Sequence, residues 1–384
     1  MREAFETADC AIIGGGILGV CTAYYLALQA PLKIVLMEKD LLAQASTGLS
    51  AGGIRQQFSH PSNIRMSQLT LKLLADLSAE FDAPTDFHQV GYLFLTEKPA
   101  TWQAFQDNVR VQRQLDVPVE LLSPGEIQSR WPFLQIKGLC GGTFCGLDGY
   151  ADPYSVTMAF ARAARQQGVR IMENTPVEKI LCRRGRIAGL QTAVGRVDAP
   201  VVINAAGAWG AEVAATVGLQ LPIKPYRRQV YVTRRFTGID RPIPLIIDQD
   251  ALFYFREEGE GILMGMTDPE EPSSFHTHVD RWFLEKLIET ATHRAPILAE
   301  AEILRGWGGL YAVTPDENPI IGHLGSIEGS YGALGFSGHG FQHGPAAGRI
   351  LSDIILKGRT DIDIEPFAYD RFDRAHGPGE QRTV

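Results

Sequence analysis

The stretch Asp9–Glu38 decides the fold of this chain, because it has the pattern of a strand, a glycine-rich turn, a helix and a second strand. It begins with the short apolar run DCAII (9–13), which GGGILG (14–19) follows at once. Residues 17–30 are rich in Leu, Ala and Tyr and contain no proline, which predicts a helix. The run KIVLM (33–37) predicts a second buried strand. Together these elements form a βαβ unit, whose two strands are parallel neighbours.

The glycines of this turn follow the GxGxxG pattern of dinucleotide-binding sites. Gly14 permits the tight turn, Gly16 lets the backbone approach a pyrophosphate, and Gly19 lets the helix pack close to the sheet. The helix N-terminus at Ile17 supplies N–H groups and a partial positive charge for the diphosphate. Glu38 follows Gly14 by 24 residues, near the spacing of about 20 expected for an acid that holds a ribose hydroxyl. Glutamate at this position favours an unphosphorylated ribose. A glycine turn without a ligand is the alternative, and these residues alone do not decide between FAD and NAD.

Length and composition narrow the class of protein. The 384 residues correspond to roughly two and a half domain equivalents, which predicts two interleaved domains. The net charge is −8 without any basic block, which argues against nucleic acid and anionic membrane as partners. The five cysteines have no CxxC or zinc spacing, so we expect a reducing compartment and a cytoplasmic location. No apolar run reaches about 18 residues, so no membrane span is expected, and no metal site is predicted.

The rest of the chain alternates between helical and strand-like patterns. Helices are predicted over residues 63–81, 101–115, 150–168, 280–292 and 345–356, and strands over residues 89–96, 169–171, 177–182, 186–191 and 197–203. Residues 221–265 are rich in aromatic and β-branched side chains, which predicts an antiparallel sheet. A nucleotide-binding domain assembled from three discontinuous segments explains this alternation.

Later motifs carry a resemblance to a known family. They are STGLSAGG (46–53), VVINAAGAW (201–209), and the C-terminal set GGLY (308–311), TPDENP (314–319) and GFSGHGF (335–341). In this order after the glycine turn, they resemble the D-amino-acid oxidase superfamily of FAD-dependent oxidoreductases. The C-terminal set is most similar to the sarcosine oxidase and dimethylglycine dehydrogenase relatives, and the chain is also similar to glycine oxidase. Residues 46–59 also resemble a mitochondrial flavoprotein that assists the assembly of respiratory complex I.

The resemblance implies an α/β protein with a Rossmann-like FAD-binding domain of the glutathione-reductase type. This domain is interleaved with an α+β substrate domain whose antiparallel sheet covers the flavin ring. The expected FAD-binding domain comprises residues 1–85, 151–218 and 306–384, and the substrate domain comprises residues 86–150 and 219–305.

The same resemblance implies a set of FAD-binding residues. They are Gly14, Gly16, Ile17, Gly19, Glu38, Lys39, Ser46, Thr47, Ser50, Ala51, Gly52, Val177, Ala206, Gly207, Trp209, Gly309, Gly338, His339, Gly340, Phe341 and Gln342. Relatives with covalent flavin carry Cys or His where this chain has Gly309 and residues such as Leu49, so we expect non-covalently bound FAD. Val177 is expected to meet adenine through its backbone, or else to be a plain core valine.

Two arginines are candidates to hold a substrate carboxylate, a task suited to the planar guanidinium. Arg256 occupies a place that resembles the carboxylate-binding arginine of glycine oxidase. The alternative for Arg256 is a surface arginine at a strand end, paired with Glu257 or Glu258. Arg55, just beyond the flavin-facing segment, is the second candidate, because sarcosine oxidase relatives carry substrate-binding arginines nearby.

Further positions bear on the chemistry. Tyr254 is expected to close over the substrate or to pack within the sheet. His339 is expected to touch the flavin, to accept the substrate proton, or to make a structural hydrogen bond. Gln342 stands where sarcosine oxidases carry a carboxylate-binding lysine, so carboxylate binding shifts to the arginines. Residues 262–265 lack the lysine that activates oxygen in those enzymes, which predicts slow reaction with oxygen.

The sequence therefore predicts an enzyme that oxidises a small amine or amino acid bearing a carboxylate, by hydride transfer to FAD, to an imine that hydrolyses. A dehydrogenase with an electron acceptor other than oxygen is preferred to an oxidase, and the need for a partner subunit is left open. The alternatives are a 2-hydroxy-acid dehydrogenase on the same scaffold and a flavoprotein assembly factor or subunit without turnover.

Overall fold

The predicted N-terminal βαβ unit is present in the structure, a computed structural model that describes residues 4–81, 86–240, 242–373 and 379–380. Strands Cys10–Ile13 and Ile34–Met37 are parallel and flank helix Ile17–Gln29. They lie in a six-stranded sheet whose spatial order is Ile320–His323, Ser330–Leu334, Val201–Asn204, Cys10–Ile13, Ile34–Met37 and Arg170–Met172. All neighbours in this sheet are parallel except the first pair, which is antiparallel.

Helices cover the six-stranded sheet. Over the described residues, the α-helices are Ile17–Gln29, Pro61–Phe81, Pro99–Gln114, Pro124–Arg130, Pro153–Gln166, Gly210–Ala215, Arg281–Arg294 and Gly340–Lys357. The first and last of these pack closely, because a Cβ on Gly348 would lie 2.6 Å from the carbonyl carbon of Cys21. Helix Gly340–Lys357 begins five residues before its predicted start, so Pro345 lies inside it. Asp152 caps helix Pro153–Gln166, because its Oδ1 accepts a hydrogen bond from Ser155 N at 2.7 Å.

A four-stranded sheet lies beside this layer, with the spatial order Ala4–Thr7, Gly195–Asp198, Arg186–Thr192 and Val177–Arg183. The single strand predicted over residues 197–203 is wrong, because the chain forms two strands, Gly195–Asp198 and Val201–Asn204, in different sheets. Pro200 lies between them and has no N–H to donate to a ladder. The break lets the chain pass from one sheet to the other.

The second large sheet has eight strands. Their spatial order is Ile303–Val313, Lys224–Thr233, Gly261–Met266, Phe253–Glu258, Leu245–Asp248, Tyr92–Thr96, Gly141–Cys145 and Glu120–Leu122. The antiparallel sheet predicted over residues 221–265 is present, because the four strands that the chain forms there are antiparallel neighbours. Leu245–Asp248 also pairs with Tyr92–Thr96, and this pair is parallel. This pairing joins two distant segments of the chain into one mixed sheet. A small antiparallel pair, Gly53–Ile54 with Gly149–Tyr150, connects the two halves of the molecule.

One of the predicted domain boundaries falls within this sheet. The boundary at residue 306 falls inside strand Ile303–Val313, which pairs with Lys224–Thr233 along almost its whole length. This part of the segment expected to bind FAD therefore belongs to the eight-stranded sheet. The boundary at residue 85 lies outside the described residues.

The two faces of the eight-stranded sheet have different neighbours. One face packs against helix Arg281–Arg294 through Phe253, Phe255 and Phe283. The opposite face carries Tyr92, Phe94, Val230, Val232, Tyr254 and Leu263, and it meets Ala51 of the segment that follows the first βαβ unit. This second face closes one end of the main cavity.

Candidate functional site

The glycine turn is shaped by close backbone contacts. Gly14 has a φ of 106°, and a Cβ there would lie 2.4 Å from the carbonyl oxygen of Ala205. A Cβ on Gly19 would lie 2.0 Å from the carbonyl oxygen of Gly14. Only glycine permits this close stacking of the turn between the helix and strand Val201–Asn204. Both residues thus fix the geometry of the turn, and Gly14 also lines the main cavity.

The N-terminus of the helix that follows the turn borders the same cavity. Its N-cap residue Gly16 has no side-chain capping hydrogen bond, and its first turn contains no acidic residue. The Ile17 N–H donates to Thr47 Oγ1 at 3.2 Å, which anchors the segment after Glu38 against the helix. This helix end is therefore suited to an anionic group.

Glu38 is held in place by backbone groups at the end of its strand. One carboxylate oxygen accepts from Gly15 N at 2.6 Å, and the other accepts from Asp40 N at 2.9 Å. Nearby, the Lys39 ammonium lies 3.4 Å from the centre of the Trp209 ring. Trp209 also stacks with Phe275, at 5.6 Å between ring centres.

These groups line one cavity of about 360 Å³ that runs from the glycine turn to the eight-stranded sheet. The predicted FAD-binding residues that line it are Gly14, Gly16, Ile17, Glu38, Lys39, Ser46, Thr47, Ser50, Val177, Ala206, Gly207, Trp209, Gly338, Gly340 and Phe341. Sequence reasoning missed further lining residues, among them Met37, Pro176, Leu310 and Tyr311. A Rossmann-like layer with such a cavity at its strand ends defines a dinucleotide-binding protein.

Six predicted FAD-binding residues lie outside this lining. Three of them are fixed by local packing: Gly19 by the turn, Gly52 by a Cβ position 2.1 Å from Ala151 O, and Gly309 by its contact with Leu49. The fourth is Ala51, whose carbonyl oxygen accepts a hydrogen bond from Arg256 Nε at 2.7 Å.

The other two belong to the start of the last helix. Gln342 Oε1 accepts a hydrogen bond from Arg55 N at 2.8 Å. His339 is buried, with its ring edge-on to Phe58 at 5.0 Å, and its Nδ1 has no hydrogen-bond partner among the described residues. Burial, and next the charge of Arg55, hold the pKa of His339 well below its ordinary value, so the ring is neutral.

At Tyr311, which is half-buried and lines the cavity, a group of otherwise buried arginines and tyrosines closes the cavity. We call it the arginine–tyrosine layer, and its members are Arg55, Arg228, Arg256, Tyr92, Tyr254 and Tyr311. Burial raises the pKa of each of these tyrosines, although the neighbouring arginine charges oppose that shift. The three hydroxyls are therefore protonated and able to donate hydrogen bonds.

Arg256 lies in this layer but is already engaged. Its Nε donates to Ala51 O at 2.7 Å, its Nη1 lies 2.7 Å from Glu258 Oε2, and its guanidinium stacks over Tyr150 at 4.3 Å. This matches the ion-pair alternative, although the side chain is buried and does not lie on the surface.

Arg55 also lies in the layer, and its guanidinium is fully buried. Its guanidinium carbon lies 3.9 Å from the Phe58 ring centre, and Nη1 donates to Gln57 O. Burial lowers its pKa.

Asp148, which lies between strands Gly141–Cys145 and Gly149–Tyr150, supports this part of the site. It is fully buried, and its carboxylate accepts from Gln56 N at 2.9 Å and from Gln57 Nε2 at 3.1 Å. Burial raises the pKa of Asp148 to about 6. No local sequence signal marks this role, because the contact joins residues 91 and 92 positions apart.

Comparisons with known proteins agree with this architecture. A family model described as "FAD dependent oxidoreductase" (DAO) matches residues 9–354. FAD-dependent oxidoreductase domain-containing protein 1 of Xenopus laevis is 32% identical over 96% of this chain and 83% of its own length. Mitochondrial dimethylglycine dehydrogenase of Homo sapiens is 30% identical over 94% of this chain but only 44% of its own length. The solved structure of L-proline dehydrogenase from P. horikoshii is 33% identical with a TM-score of 0.90, over 96% of this chain and 98% of that one.

The chain therefore belongs to the DAO family of FAD-dependent oxidoreductases. The predicted fold class, family and FAD cofactor are confirmed. The residues present fit this cofactor, because the turn at Gly14 has no room for a Cβ. In addition, two helices begin at the cavity without a side-chain cap or an acidic first turn.

Two negative findings concern the described residues only. No helix among them is both long enough and apolar enough to cross a bilayer. Within the same residues, no group of three or more His, Cys, Asp or Glu is arranged to hold a metal ion.

Proposed function

We propose that this protein oxidises a small amine or amino acid that carries a carboxylate, and that its electrons pass to an acceptor other than oxygen. Bound FAD supplies the acceptor for the hydride. The substrate loses a hydride from carbon and a proton from nitrogen, and the imine formed is hydrolysed. The observation that carries this proposal is the arginine–tyrosine layer, which is buried at the Tyr311 end of the cavity.

The layer suits a carboxylate for electrostatic reasons. A buried guanidinium offers a planar pair of N–H donors that matches a carboxylate, and the attraction is stronger away from water. Arg55 and Arg256, the two arginines expected from the sequence, both belong to this layer. A substrate bound there has its amine near the segment Gly338–Gly340, which borders the cavity.

His339 is the group we propose to interact with the substrate amine. The neutral ring has an open Nδ1, which suits it to accept a hydrogen bond or the departing amine proton. Helix Gly340–Lys357 begins next to it, and the first-turn N–H groups of that helix are suited to hold negative charge.

We further propose that FAD is bound without a covalent link. The described residues that line the cavity include no cysteine or histidine, which are the attachment groups that covalent relatives use. Acid or heat denaturation is expected to release all the yellow colour into the filtrate. Colour retained on the precipitated protein would contradict this.

The likeness to L-proline dehydrogenase from P. horikoshii supports the proposal that this protein is a dehydrogenase and not an oxidase. The two proteins are 33% identical over almost the whole chain. The cytoplasmic location stays a prediction, because the similar human dimethylglycine dehydrogenase is named as a mitochondrial protein. A partner subunit likewise stays open.

Anaerobic bleaching of the flavin tests the proposed function. The purified holoprotein is mixed with L-proline, sarcosine, N,N-dimethylglycine and glycine, with pyrrolidine as the amine without a carboxylate and L-lactate as the hydroxy acid. We expect bleaching by at least one amino acid, and faster turnover with a dye acceptor than with oxygen. Bleaching by L-lactate alone identifies a hydroxy-acid dehydrogenase. Retained FAD that no compound bleaches identifies a flavoprotein without turnover.

A further inference from the structure

The segment of residues 271–280 joins the eight-stranded sheet to the wall of the cofactor cavity. It follows strand Gly261–Met266, and Phe275 in its middle is 40% exposed. The Phe275 ring stacks on the Trp209 ring, with 5.6 Å between ring centres and 22° between ring planes. Trp209 follows strand Val201–Asn204 of the six-stranded sheet and lines the main cavity. A segment attached to one sheet therefore contacts a cavity residue attached to the other.

Arg227 holds both ends of this segment on the eight-stranded sheet. Its guanidinium binds Glu271 at one end, with both nitrogen–oxygen distances at 3.0 Å. At the other end it donates to Asp280 Oδ2 and to His278 O, both at 2.6 Å. Arg227 and Glu271 are buried, and the attraction between opposite charges is stronger away from water. The two ends are therefore fixed, which restricts the position of the residues between them.

Two backbone contacts hold the middle of the segment close to the sheet. Ser274 N donates to Pro225 O at 3.1 Å. Thr277 O approaches the other strand so closely that a Cβ on Gly308 would lie 2.5 Å from it. Pro225 and Gly308 belong to paired strands. The backbone on both sides of Phe275 is thus supported, although the Phe275 side chain itself is exposed.

Trp209 has a second exposed neighbour. Lys39 Nζ lies 3.4 Å from the Trp209 ring centre, and the Lys39 side chain is 41% exposed. Lys39 lines the cavity next to Glu38. The half-buried Trp209 ring is therefore held in the cavity wall partly by two side chains at the surface, Lys39 and Phe275. Loss of either neighbour lets the ring turn away from the cavity more easily.

We propose that Phe275 is a positioning residue for the cofactor, because its ring holds Trp209 in the cavity wall and thereby slows the release of FAD. Trp209 is among the described residues that line the cavity and Phe275 is not, so Phe275 acts through Trp209. FAD is the cofactor of the family to which the chain belongs. The inference therefore goes beyond the proposed function and does not depend on the substrate or the electron acceptor.

The rate of FAD release from the diluted holoprotein, followed by flavin fluorescence, tests this role. An aromatic pair contributes about 0.5–1.5 kcal/mol, and 1.36 kcal/mol corresponds to a tenfold change in rate. We therefore expect Phe275→Ala to release FAD faster by a factor between about 2 and about 13. Phe275→Tyr keeps the ring and should stay within about 1.5-fold of the wild type. The urea midpoint of the apoprotein should be the same in all three proteins, because Phe275 is exposed.

A double-mutant cycle shows whether Phe275 acts through Trp209. In a Trp209→Leu background, Phe275→Ala should change the rate of release by less than about 1.5-fold, because the ring partner is already gone. Trp209→Met replaces Trp209→Leu if the latter retains no flavin. Trp282→Ala is the matched control. Trp282 is also an exposed aromatic residue, at 51%, and lies just beyond the segment, where its ring contacts Phe283.

Four results would overturn the proposal. The first is release of FAD from Phe275→Ala at the wild-type rate, and the second is an equal acceleration in Trp282→Ala. The third is an undiminished effect of Phe275→Ala when Trp209 has been replaced. The fourth is a lower urea midpoint of the Phe275→Ala apoprotein, which would assign Phe275 to the stability of the fold and not to the retention of FAD.

Discussion

The glycine turn and the arginine–tyrosine layer lie at opposite ends of one cavity, and they recognise ligands by different means. At the turn, backbone N–H groups and the absence of side chains shape the surface, as the 2.4 Å between a Cβ on Gly14 and Ala205 O shows. In the layer, large side chains carry the charges and hydroxyls: Tyr311 lines the cavity, and the guanidinium carbon of Arg228 lies 5.0 Å from the centre of its ring. The turn is therefore sensitive to added atoms, whereas the layer is sensitive to lost charge.

The largest effect is expected at the turn. Gly14→Ala combines backbone strain at a φ of 106° with overlap against Ala205 O. Each contributes about 1–3 kcal/mol, so we expect the free energy of unfolding to fall by about 4 kcal/mol, together with loss of bound FAD. Urea denaturation and the ratio of flavin to protein measure the two effects.

Gly168→Ala is the matched control for that prediction. Gly168 also has a positive φ, of 86°, but a Cβ there would meet no atom within 4 Å. It should show only the strain, about 1–2 kcal/mol, and keep its flavin. Equal loss of flavin in both variants would show that overlap at the turn is not the cause.

The difference between the two regions also explains what the sequence predicts. The turn and Glu38 lie within one continuous βαβ unit, so glycine spacing and an acid at a strand end suffice to identify them. The layer combines residues from five separate strands and loops, and Tyr311 reaches it only through the pairing of Ile303–Val313 with Lys224–Thr233. Arg228 is adjacent to Arg227 in sequence, and only the structure shows that Arg227 pairs with Glu271 and Asp280 whereas Arg228 lies beside Tyr311.

The second largest effect is expected at Asp148, which supports the arginine–tyrosine layer. Asp148 has a pKa raised from 3.8 to about 6, chiefly by burial. Between these pH values the folded protein binds more protons than the unfolded chain, so its free energy of unfolding falls as the pH rises from about 4 to about 6. The shift corresponds to about 3 kcal/mol at 1.36 kcal/mol per pH unit.

Asp148→Asn removes this titration and keeps the size of the side chain. Unfolding by urea across that pH range should show the variant gaining stability relative to the wild type as the pH rises. A difference between the two proteins that stays constant with pH would mean that Asp148 does not titrate in this range. The result would show whether the charge of Asp148 or the shape of its side chain holds Gln56 and Gln57 beside Arg55.

The smallest effect is expected at Glu38, beside the glycine turn. It tests whether a negative charge at this position contributes to FAD binding. Glu38 accepts one backbone N–H with each oxygen, from Gly15 and from Asp40. Glu38→Gln keeps one acceptor and replaces the other by an N–H₂ donor, so one backbone hydrogen bond is lost. Because a hydrogen bond to a charged group contributes about 1.5–3 kcal/mol, we expect the dissociation constant of FAD to rise by a factor between about 10 and about 150. Fluorescence titration of apoprotein with FAD measures this, and Asp40→Asn, which alters a neighbouring exposed carboxylate, is its control. An equal change in both variants would mean that the general negative charge near the turn, and not the position of Glu38 at the strand end, determines FAD affinity.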